Sequence, residues 1–566
     1  MGLFIRISRG EFLYVTSQLF WCFLTAMSSE NPKASGKFRS LAMLAGLLVL
    51  GALSYWITVS AIPERQEAPA DSKVADRTSY PHQDSIPKTR RQQREAATGI
   101  DNNGLNAGAL PNQRVLVFKD QATLEAFLAK MGDSAKLLGR LDKLNALLLG
   151  YDNEGDFLGL LNGTEKADFN YPINIPDHET VGPQDGALAI GNGLLKSLGI
   201  TVDNSLWGKG VKVAVLDTGI ADHLAFANLI LRINIVPMPV DPADLNGHGT
   251  AVATLIFSNN PFAPGVAPGA TPISIRIADD NGVSNSFLIA QGILAAVDAG
   301  AQLINISLGG YGKSTLVESA LDYAKQRGAI VIAATGNTGR EGVLQPAASN
   351  GVIAVGAVDA KNQHMNFSTT GSEVSMSAAG HGVNVAYPGD MAANVSGTSF
   401  STPVATGTLA ATMSNKGFPT LSGNEARKVV NQNLNDIGAQ GHDKQTGAGV
   451  PDMWRILNTG KSGIYDAAVT SVSTTSSQQG NQVQVLVQNQ GTETLVNTGV
   501  SVDINGRTTN VNLTTLASGE SRVVNVPVSS INNLDIKSSV RVSGGQTDQR
   551  SINNSFSSQP GAATGR

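Results

Sequence analysis

A series of short apolar segments constrains this chain more than any other feature. VKVAVL (211–216), ISIRI (273–277), LINISL (303–308), AIVIAA (329–334) and VIAVGAV (352–358) follow one another, with apolar residues at helical spacing between several of them, as in Phe287 to Val297 and Leu316 to Lys325. A strand that is apolar on both faces has to be covered on both. Such strands between helices predict a parallel sheet with helices on each side. The expectation for residues 190–458 is therefore an α/β fold.

The 566 residues are too many for one ordinary domain. Upstream, RVLVF (114–118) predicts a strand. Leu124, Phe127, Leu128 and Met131 follow at helical spacing behind Asp120, a fitting N-cap. LNALLLGY (144–151), a second helix around Phe157 to Leu161 and a last strand ADFNYPINI (167–175) complete a small α+β unit over 114–176. Downstream, VQVLV (483–487), VSVDI (500–504), VNL (511–513) and VVNVPV (523–528) alternate apolar and polar residues, and Asn505-Gly506 is a hairpin signal. Residues 463–557 are expected to form an antiparallel β-sandwich of immunoglobulin-like size.

The N-terminal part points to export. Leu41 to Ile62 is an uncharged apolar run, close to the roughly 20 residues that span a bilayer. Lys33, Lys37 and Arg39 precede it, which keeps the N-terminus in the cytoplasm. Two readings of residues 1–62 stand side by side: a signal peptide cleaved after Val59-Ser60-Ala61, or a retained membrane anchor. Either exports the rest of the chain, and membrane contact is expected through this segment alone. Residues 63–113 are polar, rich in Pro, Arg, Gln and Asn, and without periodicity; they read as a disordered linker. A formal net charge of -4 gives no field that would draw nucleic acid. Cys22 is the single cysteine, so intrachain disulfides and a cysteine-based zinc site are excluded.

Three motifs in the α/β segment carry chemistry. VAVLDTGI puts Asp217 at the C-terminal end of an apolar strand, the end that faces the ligand crevice in doubly wound sheets. NGHGTAVATLIF flanks His248 with Gly247 and Gly249, ahead of an apolar helix expected to begin at Thr250. SGTSFSTPVATGTLAA places Ser399 just before an apolar helix, expected to be broken by Pro403. Singly, each has a plain structural reading: a turn or cap carboxylate, a core histidine, a capping serine. Jointly they match what acyl transfer needs. A serine hydroxyl is a weak nucleophile and requires a base, His248. The base requires an acid, Asp217, to hold its tautomer and stabilise the imidazolium. Asn337 in AATGNTG follows an apolar strand, and its side-chain amide is the candidate oxyanion donor together with the Ser399 backbone N–H. Loss of one such donor typically costs ~3–4 kcal/mol of transition-state stabilisation.

VLDTGI, HGTAVA, INISLGG, AATGN, VIAVGAV and GTSFSTP, in this order, resemble the subtilisin-like serine peptidases. The resemblance covers residues 195–458. It implies a subtilisin-like parallel sheet, Asp217, His248 and Ser399 as a triad, and Asn337 in the oxyanion hole. It also implies that Ser307, Leu308 and Gly309 line the substrate cleft, pairing their backbone with an extended peptide. The unit at 114–176 resembles the family's inhibitor-like propeptide, removed by autocleavage after Ile173 and before Leu194. The C-terminal unit is similar to bacterial cell-adhesion-type domains. Protein or peptide substrates and the chain's own propeptide, as intramolecular inhibitor, are the expected partners.

Departures from the family pattern are visible. SNNPFAPGVAP after the His248 helix is short, and Phe226 stands where a carboxylate ligand is common, which puts the usual calcium site in doubt. Asp279, Asp280 and Asn281 read as a solvated acidic turn. No cofactor is expected for the chemistry, and structural calcium is left without an assigned site. Leu344 falls near the expected floor of the primary specificity pocket, favouring small side chains there. A competing reading is a peptide- or surface-binding protein on a peptidase scaffold; a missing triad residue would favour it, and none is missing. An esterase would call for a Gly-x-Ser-x-Gly elbow, whereas Ser399 lies in Gly-Thr-Ser-Phe-Ser.

Overall fold

Alternation in one strand decides how the N-terminal unit is built. In Gln113–Phe118 (β1), Leu116 and Phe118 face one side of the sheet, while Val115 and Val117 face the other. The computed structural model describes residues 108–163, 165–176, 184, 187–200, 202–237, 246–414, 421–477, 480–531 and 534–558. All belong to the second of two units, Val74–Arg566, into which the chain divides. The apolar run 41–62 lies outside the described residues, as does the expected linker up to residue 107.

β1 is central in an antiparallel four-stranded sheet with Lys136–Leu141 (β2), Ala146–Gly150 (β3) and Glu165–Phe169 (β4), in the order β2-β3-β1-β4. Helices Gln121–Met131 (α1) and Glu154–Leu160 (α2) cover one face, where Leu116, Phe118, Leu124, Phe127, Leu147, Leu149 and Phe157 form a separate core. Asp120 caps α1 as expected, accepting from the Thr123 N–H at 2.8 Å. The opposite face, through Val115, Ala146 and Leu148, shares a core with the central α/β unit. A unit of roughly 60 residues buries too little surface to be robust by itself, so this shared face matters to its stability.

Two sequence expectations change here. β2 was not expected; Leu137 and Leu138 are exposed on this edge strand, so no alternation marks it. The expected single strand 167–175 is two. β4 pairs with β1, and Pro172–Asn174 (β5) leaves the sheet to pair antiparallel with Val283–Asn285 (β9) of the next unit. Asn170 causes the switch: its Oδ1 accepts from the Phe287 N–H at 3.1 Å and the Ser286 hydroxyl at 2.9 Å.

The central sheet has seven strands, all parallel: Lys212–Asp217 (β6), Leu231–Asn234 (β7), Thr271–Arg276 (β8), Leu303–Ile306 (β10), Ile330–Ala334 (β11), Ile353–Val358 (β12) and Val374–Ala379 (β13). Their order is β13-β12-β11-β10-β6-β8-β7. The chain winds from β6 to one side and from β10 to the other, so the strand order reverses between these two neighbours. In open α/β sheets a ligand crevice forms at such a switch point, beyond the carboxyl ends of the strands. The five apolar runs all appear as strands; β7 and β13 lie at the sheet edges, where apolar character is weakest. Helices His248–Phe257 (α3), Ser286–Asp298 (α4), Thr315–Gln326 (α5) and Thr398–Ser414 (α6) cover the two faces.

After residue 458, Ala467–Ser477, Gly480–Asn489 and Ser521–Val528 form one antiparallel sheet, and Arg507–Leu516, Leu495–Ile504, Ile536–Arg541 and Ser555–Ser558 form another. Side chains from both meet in one core, including Val483, Val485, Val500 and Val502. Asn505 and Gly506 both take positive φ, 52° and 81°, as a two-residue hairpin turn requires. Arg550 joins this unit to the α/β unit through Asp452 at 2.5 Å. Next to it Asp466 is fully buried, with Oδ1 accepting from Asn553 Nδ2 at 2.9 Å.

Burial pushes the Asp466 carboxyl up to about 7 from an ordinary value of 3.8. The folded chain then holds a proton that the unfolded chain releases. Stability from this group is full below pH ~4, falls as pH rises toward 7, and is level above that. Asp466→Asn keeps the acceptor for Asn553, so its denaturant unfolding curve should depend less on pH between 4 and 7 than that of the parent. Equal pH dependence would show that Asp466 is ionised throughout.

Candidate active site

The switch point gathers the candidate residues. β6 ends in Asp217, and β10 leads directly into Ser307. Asp217 Oδ1 lies 2.7 Å from His248 Nδ1, and both side chains are fully buried. The same oxygen accepts from the Thr218 N–H at 2.8 Å. With Nδ1 on the Asp217 carboxyl, the other ring nitrogen, Nε2, is the one directed away from this pair.

His248 opens α3, two residues earlier than expected at Thr250. The glycines on either side of His248 permit close packing. A methyl on Gly249 would overlap the Gly219 carbonyl oxygen, and one on Gly247 would overlap the Tyr387 ring. The Asp217 loop is thereby seated on the first turn of α3. Thr218 Oγ1 accepts from the Gly249 N–H at 3.1 Å, and Thr250 Oγ1 accepts from the Ala221 N–H at 2.9 Å. Arg276, buried at the end of β8, donates to the Thr218 carbonyl at 2.5 Å and to Asp280 at 2.8 Å. It clamps the loop from behind.

Ser399 sits in the first turn of α6, and that helix runs on through Pro403 instead of breaking there. Proline has no N–H for the Ser399 carbonyl four residues back. Ser307 Oγ supplies the missing donor at 2.8 Å. Asn305 Nδ2 in turn donates to Ser307 Oγ at 3.0 Å. α6 is buried on all sides despite its threonines, because Thr402, Thr406, Thr408 and Thr412 each donate to the carbonyl four residues earlier. α3 and α6 share one core through Ala251, Val252, Leu255, Val404, Ala405 and Leu409. The His248 ring rests 5.5 Å from that of Phe400, so the two helix starts face each other.

Asn337 follows β11. Its Oδ1 accepts from both the N–H and the hydroxyl of Thr398, each at 2.9 Å. That fixes the amide with Nδ2 toward the cleft, where it donates to the Pro176 carbonyl at 2.8 Å. Gly309 exchanges two backbone bonds with Asn174, at 3.1 and 2.9 Å, and the Ile175 N–H reaches the Gly282 carbonyl at 3.2 Å. Peptide 172–176 therefore lies between two segments of the α/β unit as an added strand. Of the expected cleft residues, Gly309 pairs with this strand, Ser307 is engaged with Ser399, and the Leu308 side chain is turned fully into the core. Leu344 fills the space beside them: methyls on Gly309 and Gly336 would lie 3.0 and 2.7 Å from its side chain.

The sequence pattern of the subtilase family matches residues 208–449, the stretch holding Asp217, His248, Asn337 and Ser399. The chain is 39% identical over 241 residues to the thermostable alkaline protease of Halalkalibacterium halodurans, covering 42% of this chain and 65% of that protein. It is 36% identical over 241 residues to subtilisin Savinase of Lederbergia lenta, covering 42% of this chain and 88% of that protein. The chain belongs to the subtilase family. It is a subtilisin-type serine protease. In fold, the subtilase is also similar to the epidermin leader peptide processing serine protease of Staphylococcus aureus, at 20% identity and a TM-score of 0.52, over 62% of this chain and 98% of the other.

The carboxylates of the acidic turn 279–281 are engaged within the protein. Asp280 is paired with Arg276, and Asp279 Oδ1 already accepts from the Asn281 and Val283 N–H groups. Among the described residues no cluster of three or more His, Cys, Asp or Glu is placed to hold a metal, and no helix is long and apolar enough to cross a membrane.

Thr398, Asn305 and Arg276 were not singled out from sequence. Each acts through a partner distant in the chain; only Thr398, next to Ser399 in the motif, carried a local hint. The contact between Gly249 and Gly219 gives a direct test. Gly249→Ala should lose about 3 kcal/mol of stability, the upper end of the usual cost of overpacking, because rigid backbone stands in the way. Denaturant unfolding of the Ser399→Ala background measures it free of self-digestion, and a loss below ~1 kcal/mol would mean that the loop can move aside.

Proposed function

We propose that this subtilase is an exported serine endopeptidase in which Asp217, His248 and Ser399 form the triad. The observation that carries this reading is the Asn337 amide on the Pro176 carbonyl, at the mouth of a cleft whose base is the Asp217–His248 pair. A peptide carbonyl held this way is polarised where negative charge develops on attack.

In the proposed reaction Ser399 Oγ adds to the substrate carbonyl as its proton passes to His248 Nε2. Asp217 holds the imidazolium, and Asn337 Nδ2 with the Ser399 N–H bears the oxyanion. Collapse expels the amine, protonated by His248, and leaves an acyl-enzyme that water then hydrolyses. Ser399 N–H lies in a helical first turn, where no carbonyl four residues back accepts it. Leu344 beside Gly309 and Gly336 supports a preference for small side chains at the acyl position.

Residues 114–176 are proposed to be the propeptide. Their role as intramolecular inhibitor is supported by β5 in the cleft and by two acceptors that the unit supplies to enzyme helices. Asn170 Oδ1 accepts from the Phe287 N–H in the first turn of α4, beside that helix's own N-cap Asn285, and Asp168 Oδ2 accepts from the Thr315 N–H at 2.7 Å at the start of α5. An anionic group at a helix N-terminus is stabilised by the helix dipole. The apolar run before the linker supports export, and the C-terminal unit suits a surface-binding or spacer role.

Purified mature protein should hydrolyse casein and be silenced by a serine-directed phosphonate; hydrolysis that the phosphonate leaves intact would remove the serine mechanism. Ser399→Ala should abolish hydrolysis and leave the precursor whole, as gel analysis of the expressed chain would show. Asn337→Ala should lower kcat roughly 10²–10³-fold with little change in KM, a loss measured for the corresponding donor in subtilisin. A change confined to KM would assign Asn337 to ground-state binding instead.

A further inference from the structure

We infer that the chain is cut on the carboxyl side of Pro176, and that Pro176 itself holds this cut back. The inference rests on the reading of Ser399 as nucleophile and of 114–176 as propeptide.

The cut site follows from register. Asn174 and Gly309 exchange both backbone bonds. In an antiparallel pair the partner falls by one as the strand advances by one, so Ile175 stands opposite Leu308 and Pro176 opposite Ser307. Glycines fix this seating. A methyl on Gly310 would overlap the Pro172 carbonyl, and one on Gly282 would overlap the Ile175 side chain. The carbonyl that reaches Asn337 is that of Pro176, so this is the carbon offered to Ser399.

The restraint follows from the same register. Two residues on from the Asn174–Gly309 pair, the ladder calls for an N–H from position 176 to the Ser307 carbonyl. Proline has none. The Ser307 carbonyl accepts instead from Ser399 Oγ, at 3.0 Å. The hydroxyl of the nucleophile is thereby engaged on a backbone oxygen, in competition with the imidazole that must take its proton. Any other residue at 176 would offer the Ser307 carbonyl its ladder N–H, which competes with the Ser399 hydroxyl for that oxygen and weakens its hold on the nucleophile. When the cut occurs, the Ser399 Oγ–carbon bond forms, the bond from Pro176 to Asp177 breaks, and the Ser399 proton leaves on the new amine. Water then frees Pro176 as a carboxylate.

The test follows maturation of the full chain by intact mass and N-terminal sequencing. The expected fragment ends at Pro176 and the mature chain begins at Asp177. Pro176→Ala should be cut at the same bond, about fivefold faster or more, the effect of one competing hydrogen bond. Independently of folding, the mature enzyme should cleave the nitroanilide of Ile-Asn-Ile-Ala with a higher kcat/KM than that of Ile-Asn-Ile-Pro. Maturation at another bond overturns the assignment, and equal or slower processing of Pro176→Ala overturns the restraint. If Ser399→Ala matures normally, the reading beneath fails. If that variant stays whole while the parent is cut elsewhere, only this inference fails.

Discussion

The pairing of β6 with β10 at the centre of the sheet is the constraint on which the rest depends. These strands run side by side in register, Leu303 beside Val213 and Ile306 beside Leu216. The chain departs from them in opposite directions, which leaves a crevice past their carboxyl ends. Asp217 enters that space from one strand and Ser307 from the other. His248 and Ser399 reach it from the N-terminal ends of two buried helices. A shift of one residue in this pairing would turn Asp217 to the opposite face of the sheet.

Burial in this region is possible because polar groups answer one another in closed sets. Ser307 and Ser399 exchange hydroxyl-to-carbonyl bonds, and Asn305 holds the first of them. Thr398 saturates the oxygen of Asn337, leaving only its amide for the cleft. An unanswered polar group buried here would cost ~1–3 kcal/mol, so each bond restricts the next. The network sets side-chain direction, which is what an acyl-transfer site needs most.

The N-terminal unit uses the same economy of contacts. One face of its sheet builds its own core and the other borrows the α/β unit, while Asn170 and Asp168 answer the exposed N–H groups of α4 and α5. Its last strand then runs into the cleft. The N-terminal unit and the α/β unit are bound through helix ends, apolar area and a backbone ladder together, so loss of one contact leaves the others.

The sequence by itself determined the parallel sheet, because strands apolar on both faces admit few other arrangements, and it named Asp217, His248, Ser399 and Asn337 through motifs whose local composition is unusual. The Asn505-Gly506 turn was equally legible, since positive φ at both positions selects those residues. The edge strands β2, β7 and β13 were not, because an edge needs no strict alternation. Tertiary structure alone decided that α6 continues through Pro403, because the donor that rescues the Ser399 carbonyl comes from Ser307, 92 positions away. It alone split 167–175 between two sheets, buried Leu308, and brought the carbonyl of Pro176 to Asn337. Each of these depends on which distant groups meet, and that is set by the packing of strands and helices rather than by any local run of residues.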